Sequence, residues 1–177
     1  MHPWHDIDPG KQIPKEFDAV IEIPLGSVNK YEYDKKLHVF RLDRTLHSPV
    51  HYPGDYGFIP GTLALDGDPL DVVVLVDAPS FTGCLMEVRP IGLLSMVDQG
   101  QRDSKILAVH NNDPRYKAVS GYEEIYPHLL REVEHFFSIY KDLEGKKTET
   151  MGWEDVARAR TVIENCRKRY ESNNSTA

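Results

Sequence analysis

An acidic turn that runs straight into an apolar strand constrains this chain more than any other stretch. It reads Asp66-Gly67-Asp68-Pro69-Leu70-Asp71, followed at once by Val72-Val73-Val74-Leu75-Val76. Gly67 and Pro69 bend the backbone, so three carboxylates leave one curve and can converge. The stiff apolar run behind them predicts a buried strand. Carboxylates gathered at the mouth of a buried strand repel one another and are costly to desolvate. A hard divalent cation is the simplest remedy, and ligands that are all oxygen point to magnesium or manganese rather than zinc. The turn is not an EF-hand loop, because Pro69 breaks that spacing and no glutamate arrives at the twelfth position. Taken alone, Asp-Gly-Asp-Pro is also sound turn chemistry with no further role.

At 177 residues the chain suits one domain, 1–177, with a core of its own. Residues 1–16 carry three prolines and read as an irregular arm. Strands are expected at 17–23, 30–34, 37–43, 70–76, 85–97 and 104–109, with a hairpin connection at 98–103. The aromatic stretch 47–61, rich in proline and glycine, reads as an ordered loop. The period then changes. Leu129, Leu130, Val133, Phe136, Phe137 and Tyr140 follow helical spacing over 127–140, with Pro127 suited to the first turn. A second helix is expected from about Glu154 to Tyr170, leaving 171–177 as a flexible tail. Many short strands followed by helices predict an antiparallel β-barrel or curled sheet with helices outside it, an α+β arrangement.

Other residues add to the acidic turn. Asp98 and Asp103 bracket the hairpin connection, which brings a second carboxylate pair to one end of the sheet. Lys30 and Glu32 are two apart, as are Asp103 and Lys105, so each pair faces one side of its strand. Such pairs are commonly plain ion pairs, but an alternating acidic and basic lining also suits metals interleaved with anionic oxygens. Arg44 offers a planar fork for phosphate, and Tyr52 and Tyr56 put two phenols around a tight turn. Tyr140 and Lys141 close a helix, where Lys141 could equally answer the helix dipole. The histidines, among them His2, His5, His47 and His51, lack partners at ligand spacing and read as non-ligands. No P-loop, GxGxxG or Ser/Cys nucleophile signature is present.

Bulk properties restrict the partners. A net charge of -7 argues against a nucleic-acid backbone binder and leaves a phosphate substrate compatible only through bound cations. No apolar run approaches the roughly 18 residues that a membrane span needs. Met1-His2-Pro3-Trp4-His5-Asp6 has neither block of a secretory signal, and Cys84 and Cys166 form no disulfide framework. A cytoplasmic enzyme acting on phosphate through metals is the expectation.

The sequence resembles the soluble family I inorganic pyrophosphatases. Asp66-Gly67-Asp68-Pro69-Leu70-Asp71-Val72 matches the D-x-D-P-x-D-V signature of that family. Glu22-Ile23-Pro24, Lys30-Tyr31-Glu32, Asp43-Arg44, Tyr52-Pro53 with Tyr56-Gly57, Asp98, Asp103-Ser104-Lys105, and Phe136-Phe137 with Tyr140-Lys141 follow in family order. The likeness covers roughly residues 17–170. It implies an OB-like five-stranded closed barrel with two main helices in the C-terminal half, and often a homohexamer. It also implies hydrolysis of pyrophosphate to two orthophosphates by a metal-activated water, with magnesium as cofactor and manganese or zinc as substitutes. By position Asp66, Asp71 and Asp103 would hold the first metal, with Asp71 reaching the second. Asp98, Asp103 and Glu22 would serve the metals that arrive with substrate, and Glu32 would support ordered waters. Asp68 would be the general base, Tyr56 would support the nucleophile or a phosphate, and Lys30, Arg44, Lys105, Tyr140 and Lys141 would grip phosphate oxygens.

Three rival readings share these residues. One is an OB-type nucleic-acid module, disfavoured by charge and by the lack of a basic aromatic stripe. Another is a metal-loaded structural or regulatory protein on the same scaffold. The third is a hydrolase of nucleotide anhydrides, which no nucleobase motif favours.

Overall fold

The structure, a computed structural model, describes residues 2–174. Five of its strands pair in a ring. Strand β1 (Phe17–Ile23) runs antiparallel to β4 (Asp55–Ile59), and β4 antiparallel to β5 (Leu70–Leu75). Next, β5 lies parallel to β8 (Lys105–His110), β8 antiparallel to β6 (Leu85–Asp98), and β6 returns antiparallel to β1. Every strand of the ring therefore has a neighbour on both sides, which satisfies backbone groups that an open edge would expose. Outside the ring, β7 (Gln101–Arg102) and β9 (Thr148–Glu154) pair with the far half of β6, while β2 (Asn29–Asp34) and β3 (Val39–Thr45) form a separate hairpin. Helices α1 (Pro127–Ile139) and α2 (Val156–Asn174) complete the fold.

Strand alternation divides the core. Along β5, Val73 and Leu75 join Tyr56, Leu107, Val109, Phe136 and Phe137 on the α1 side. Val72 and Val74 join Ile106, Ala108, Ala159 and Ile163 on the α2 side. The period of two then directs Asp71, two before Val73, and Lys105, two before Leu107, toward the α1 side as well. A charged pair is thereby brought to the end of an apolar face.

Most expected elements appear within a residue or two, and the differences have physical causes. The stretch 47–61, expected as a loop, contains β4, all five of whose residues are buried. Its turn-like composition reflects a close crossing: a Cβ on Gly57 would stand 1.9 Å from the carbonyl oxygen of Val20 on β1. Strand β9 was not expected, because Thr-Glu-Thr-Met-Gly-Trp-Glu has little apolar pattern and pairs only along one edge of β6. The connection after Asp98 is a tight hairpin, with Gln99 and Gly100 both at positive φ as a type I′ turn requires. Helix α2 begins at Val156, after Asp155, whose Oδ1 accepts the Arg158 N–H at 2.8 Å as an N-cap does. It continues through Asn174, so residues 171–174 of the expected tail are helical, and residues 175–177 lie outside the described residues. Replacing Gly57 with Ala is expected to lower the unfolding free energy by about 3 kcal/mol, read from the urea midpoint; an unshifted midpoint would contradict the tight β1–β4 crossing.

Candidate active site

The ends of β1, β5, β6 and β8, the β2 strand and the residues after α1 surround a cavity of about 560 Å³. Its acidic lining comes from Glu22 on β1, Glu32 on β2, Asp66 and Asp68 in the acidic turn, and Asp71 on β5. Asp34 at the end of β2, Asp98 at the end of β6 and Asp103 just before β8 add to it. Lys30, Lys35, Lys36, Lys105 and Lys141 supply positive charge, and Tyr33, Tyr52, Tyr56 and Tyr140 supply phenols. Residues from more than a hundred positions of sequence thus share one space.

Arg44 is the exception among the expected site residues and does not line the cavity. It sits on β3 opposite Lys30 of β2, with its Nε donating to Glu144 at 2.9 Å and its Nη1 to Asp43 at 2.6 Å. Its Nη2 is buried without a partner among the described residues.

Lys105 is the centre of the charge network. Its side chain is 3 % exposed, donates to Asp71 and to Asp103 Oδ1 (2.5 Å for the latter), and stands 5.7 Å from the Tyr56 ring centroid and 6.0 Å from that of Phe137. Burial would depress the ammonium pKa, but the two carboxylates more than offset it and hold the pKa above the ordinary lysine value. Lys141 donates to Asp98, and Lys30 to Glu32 while standing 3.9 Å from Asp43.

The carboxyl groups are under-compensated. Burial pushes Glu22 up to about 8, although the Tyr33 N–H donates to its Oε1 at 2.8 Å; Asp71 and Glu32 add repulsion. Burial also raises Asp71, against the pull of Lys105. Asp98 Oδ1 is buried without a partner among the described residues. Burial raises the phenols of Tyr52, Tyr56 and Tyr140 and keeps them protonated donors. Among the described residues no three His, Cys, Asp or Glu side chains already stand so as to hold an ion. Lysines instead stand on the carboxylates. A donor set made only of oxygen, one orphaned carboxylate oxygen and two carboxyls driven toward protonation together fit a hard divalent cation, which would supply the missing positive charge.

Several cavity residues do not stand out in the sequence, among them Tyr33, Asp34, Lys36 and Phe58, and above all Trp4 and Lys35. Trp4 lies in the arm, which lacks strand or helix but buries this ring. Lys35 follows β2 at the tip of its hairpin. The available signal was weak: a tryptophan among prolines and one lysine in a charged turn.

Glu22 gives a prediction for the metal-free chain. Its folded pKa of about 8 lies above the ordinary 4.5, so between these values the folded state binds more protons than the unfolded one. Stability should therefore fall as pH rises through that window. In chelator, Glu22→Gln is expected to flatten this decline and to raise the melting temperature at pH 8 more than at pH 5. An equal change at both values would remove Glu22 as its source.

Comparison with known proteins shows the family. The inorganic pyrophosphatase family profile matches residues 19–171. An inorganic pyrophosphatase from Halalkalibacterium halodurans is 52% identical over 158 residues, covering 89% of this chain and 97% of that protein. One from Haloferax volcanii is 48% identical over 171 residues, covering 96% and 97%. The crystal structure of inorganic pyrophosphatase from Thermus thermophilus superimposes with a TM-score of 0.93 at 40% identity, over 97% of this chain and 99% of that one. The chain belongs to the family I inorganic pyrophosphatases.

Proposed function

We propose that this chain hydrolyses inorganic pyrophosphate to two orthophosphates, with magnesium bound among Asp66, Asp71, Asp98, Asp103, Glu22 and Glu32. The observation that carries the reading is the single cavity lined by eight carboxyl side chains and by five lysines, Lys30, Lys105 and Lys141 among them. A small, highly charged substrate needs both signs, carboxylates for cations and cations for its own oxygens. Membership of the family supports the same substrate. On this reading the ring of five strands is the OB-like closed barrel of the family. The chain works as a cytoplasmic homo-oligomer, a hexamer by resemblance, which would cover exposed Leu37, Phe81, Tyr126 and Met151.

When bound, magnesium neutralises phosphate oxygens as a Lewis acid and lowers the pKa of a water in the site, with manganese or zinc able to substitute. The protein does the rest by position. Asp68 takes the proton from the attacking water, a task for a carboxylate with solvent access; its side chain is 64% exposed. Lys30, Lys105 and Lys141 hold substrate oxygens through ammonium groups that in the free protein rest on carboxylates. Tyr140 donates a phenol proton, and Tyr56, with its high pKa, offers a second donor beside Asp71. Arg44, outside the cavity lining, is assigned to phosphate by resemblance alone, and its buried Nη2 would have to turn toward the substrate to serve it. No Ser or Cys nucleophile is needed, because positioning and charge stabilisation carry the reaction.

Purified protein is expected to release orthophosphate from pyrophosphate when magnesium is added and to stop when a chelator removes it. No release under any divalent cation would defeat the assignment. Asp68→Asn should retain the fold, judged by circular dichroism, and lose about 100-fold or more in kcat; near-normal turnover would remove Asp68 from the base role.

A further inference from the structure

We propose that Lys35 is a positioning residue for Asp68, and that Trp4 of the N-terminal arm holds Lys35 in place. The inference rests on the reading of Asp68 as proton acceptor. Lys35 Nζ donates to Asp68 Oδ1 and stands 4.3 Å from the centroid of the Trp4 ring. Among the described residues it is the one donor to that carboxylate.

Exposure alone would make this pair weak. The Lys35 and Asp68 side chains are 40% and 64% exposed, and a long flexible lysine in water gains little from such a contact. Trp4 changes the balance by giving the ammonium a second, fixed partner on its aromatic face. The ring itself is only 8% exposed, and both ends of the residue are tied down. Its Nε1 donates to Thr62 O at 2.7 Å, and its own carbonyl accepts the Gly61 N–H at 3.0 Å.

Those anchors belong to the segment that carries Asp68. Thr62 is fully buried; its hydroxyl donates to Ile59 O at 2.6 Å and accepts the Leu70 N–H at 2.9 Å, so it joins the end of β4 to the start of β5. Between these points the Ala64 N–H donates to Asp68 O at 2.7 Å, and the Asp68 N–H to Asp66 Oδ1 at 3.0 Å. Trp4 is therefore fixed to the same turn as Asp68, and Lys35 reaches across from the tip of the β2–β3 hairpin to touch both. An exposed carboxylate with free rotamers spends part of its time turned away from the cavity. A donor held on one side limits it to fewer orientations, which acts on turnover rather than on substrate affinity.

The test is steady-state kinetics at saturating magnesium with variants of exposed Lys35, whose removal leaves the core intact. Lys35→Met should lower kcat about five- to tenfold with KM for pyrophosphate nearly unchanged, and Lys35→Arg should restore at least half of the loss. Trp4→Ala, or Trp4→Leu should the first fail to fold, should lower kcat in the same way. Either should add nothing once Lys35 is Met, and Lys35→Met should add nothing in Asp68→Asn. Unchanged kcat in Lys35→Met would overturn the proposal. A raised KM at constant kcat would also do so, by making Lys35 a substrate-holding cation. Independent losses from Trp4 and Lys35 would overturn the part played by the arm. Normal turnover in Asp68→Asn defeats instead the base assignment, so the two failures are told apart.

Discussion

The buried ammonium of Lys105, gripped by Asp71 and Asp103, is the interaction on which the rest of the site depends. A lysine that is 3 % exposed persists only because two carboxylates share its charge and two aromatic rings, Tyr56 and Phe137, shield it from water. The contact ties β5 to the start of β8, which are parallel neighbours in the ring. It also draws the acidic turn and the residues after the β6–β7 hairpin toward one point. Removing Asp71 or Asp103 would leave the nearly buried ammonium with one of its two compensating carboxylates.

The same charge balance connects folding with chemistry. Net negative charge collects around a cavity whose lysines do not fully compensate it, as the elevated Glu22 and Asp71 and the orphaned Asp98 oxygen record. Fold stability alone would favour fewer carboxyl groups, since buried like charges cost free energy. Their retention at the ends of strands makes sense as a standing demand for cations. On the proposed function, divalent ions meet that demand and the lysines serve substrate oxygens. Glu22, Asp71 and Lys105 stand on strands of the ring with an apolar face behind them, a support suited to holding groups in place.

Local chemistry made much of this legible in advance. The acidic turn, the strands at 17–23 and 85–97 and the α1 periodicity are written in runs of neighbouring residues. Twelve of the thirteen expected site residues line the one cavity, and Arg44 stands on the strand beside it. What escaped was non-local. Strand β4 hides in turn-like residues because Gly57 answers to the backbone of β1 rather than to its own neighbours. Strand β9 is defined by the edge it joins, and Lys35 and Trp4 matter through residues some thirty to sixty positions away.

The sequence by itself determined which chemistry was available: clustered oxygen ligands, cations at strand spacing and phenols, all without a covalent nucleophile. Those properties follow from side-chain type and short-range spacing, which any fold must respect. Only the tertiary structure decided that β5 and β8 lie parallel, so that Asp71 meets Lys105, and that the arm folds back on Thr62 to carry Trp4 beneath Lys35. Such contacts depend on how distant strands register and close into a ring, and that outcome is a property of the whole chain's packing that no short stretch encodes.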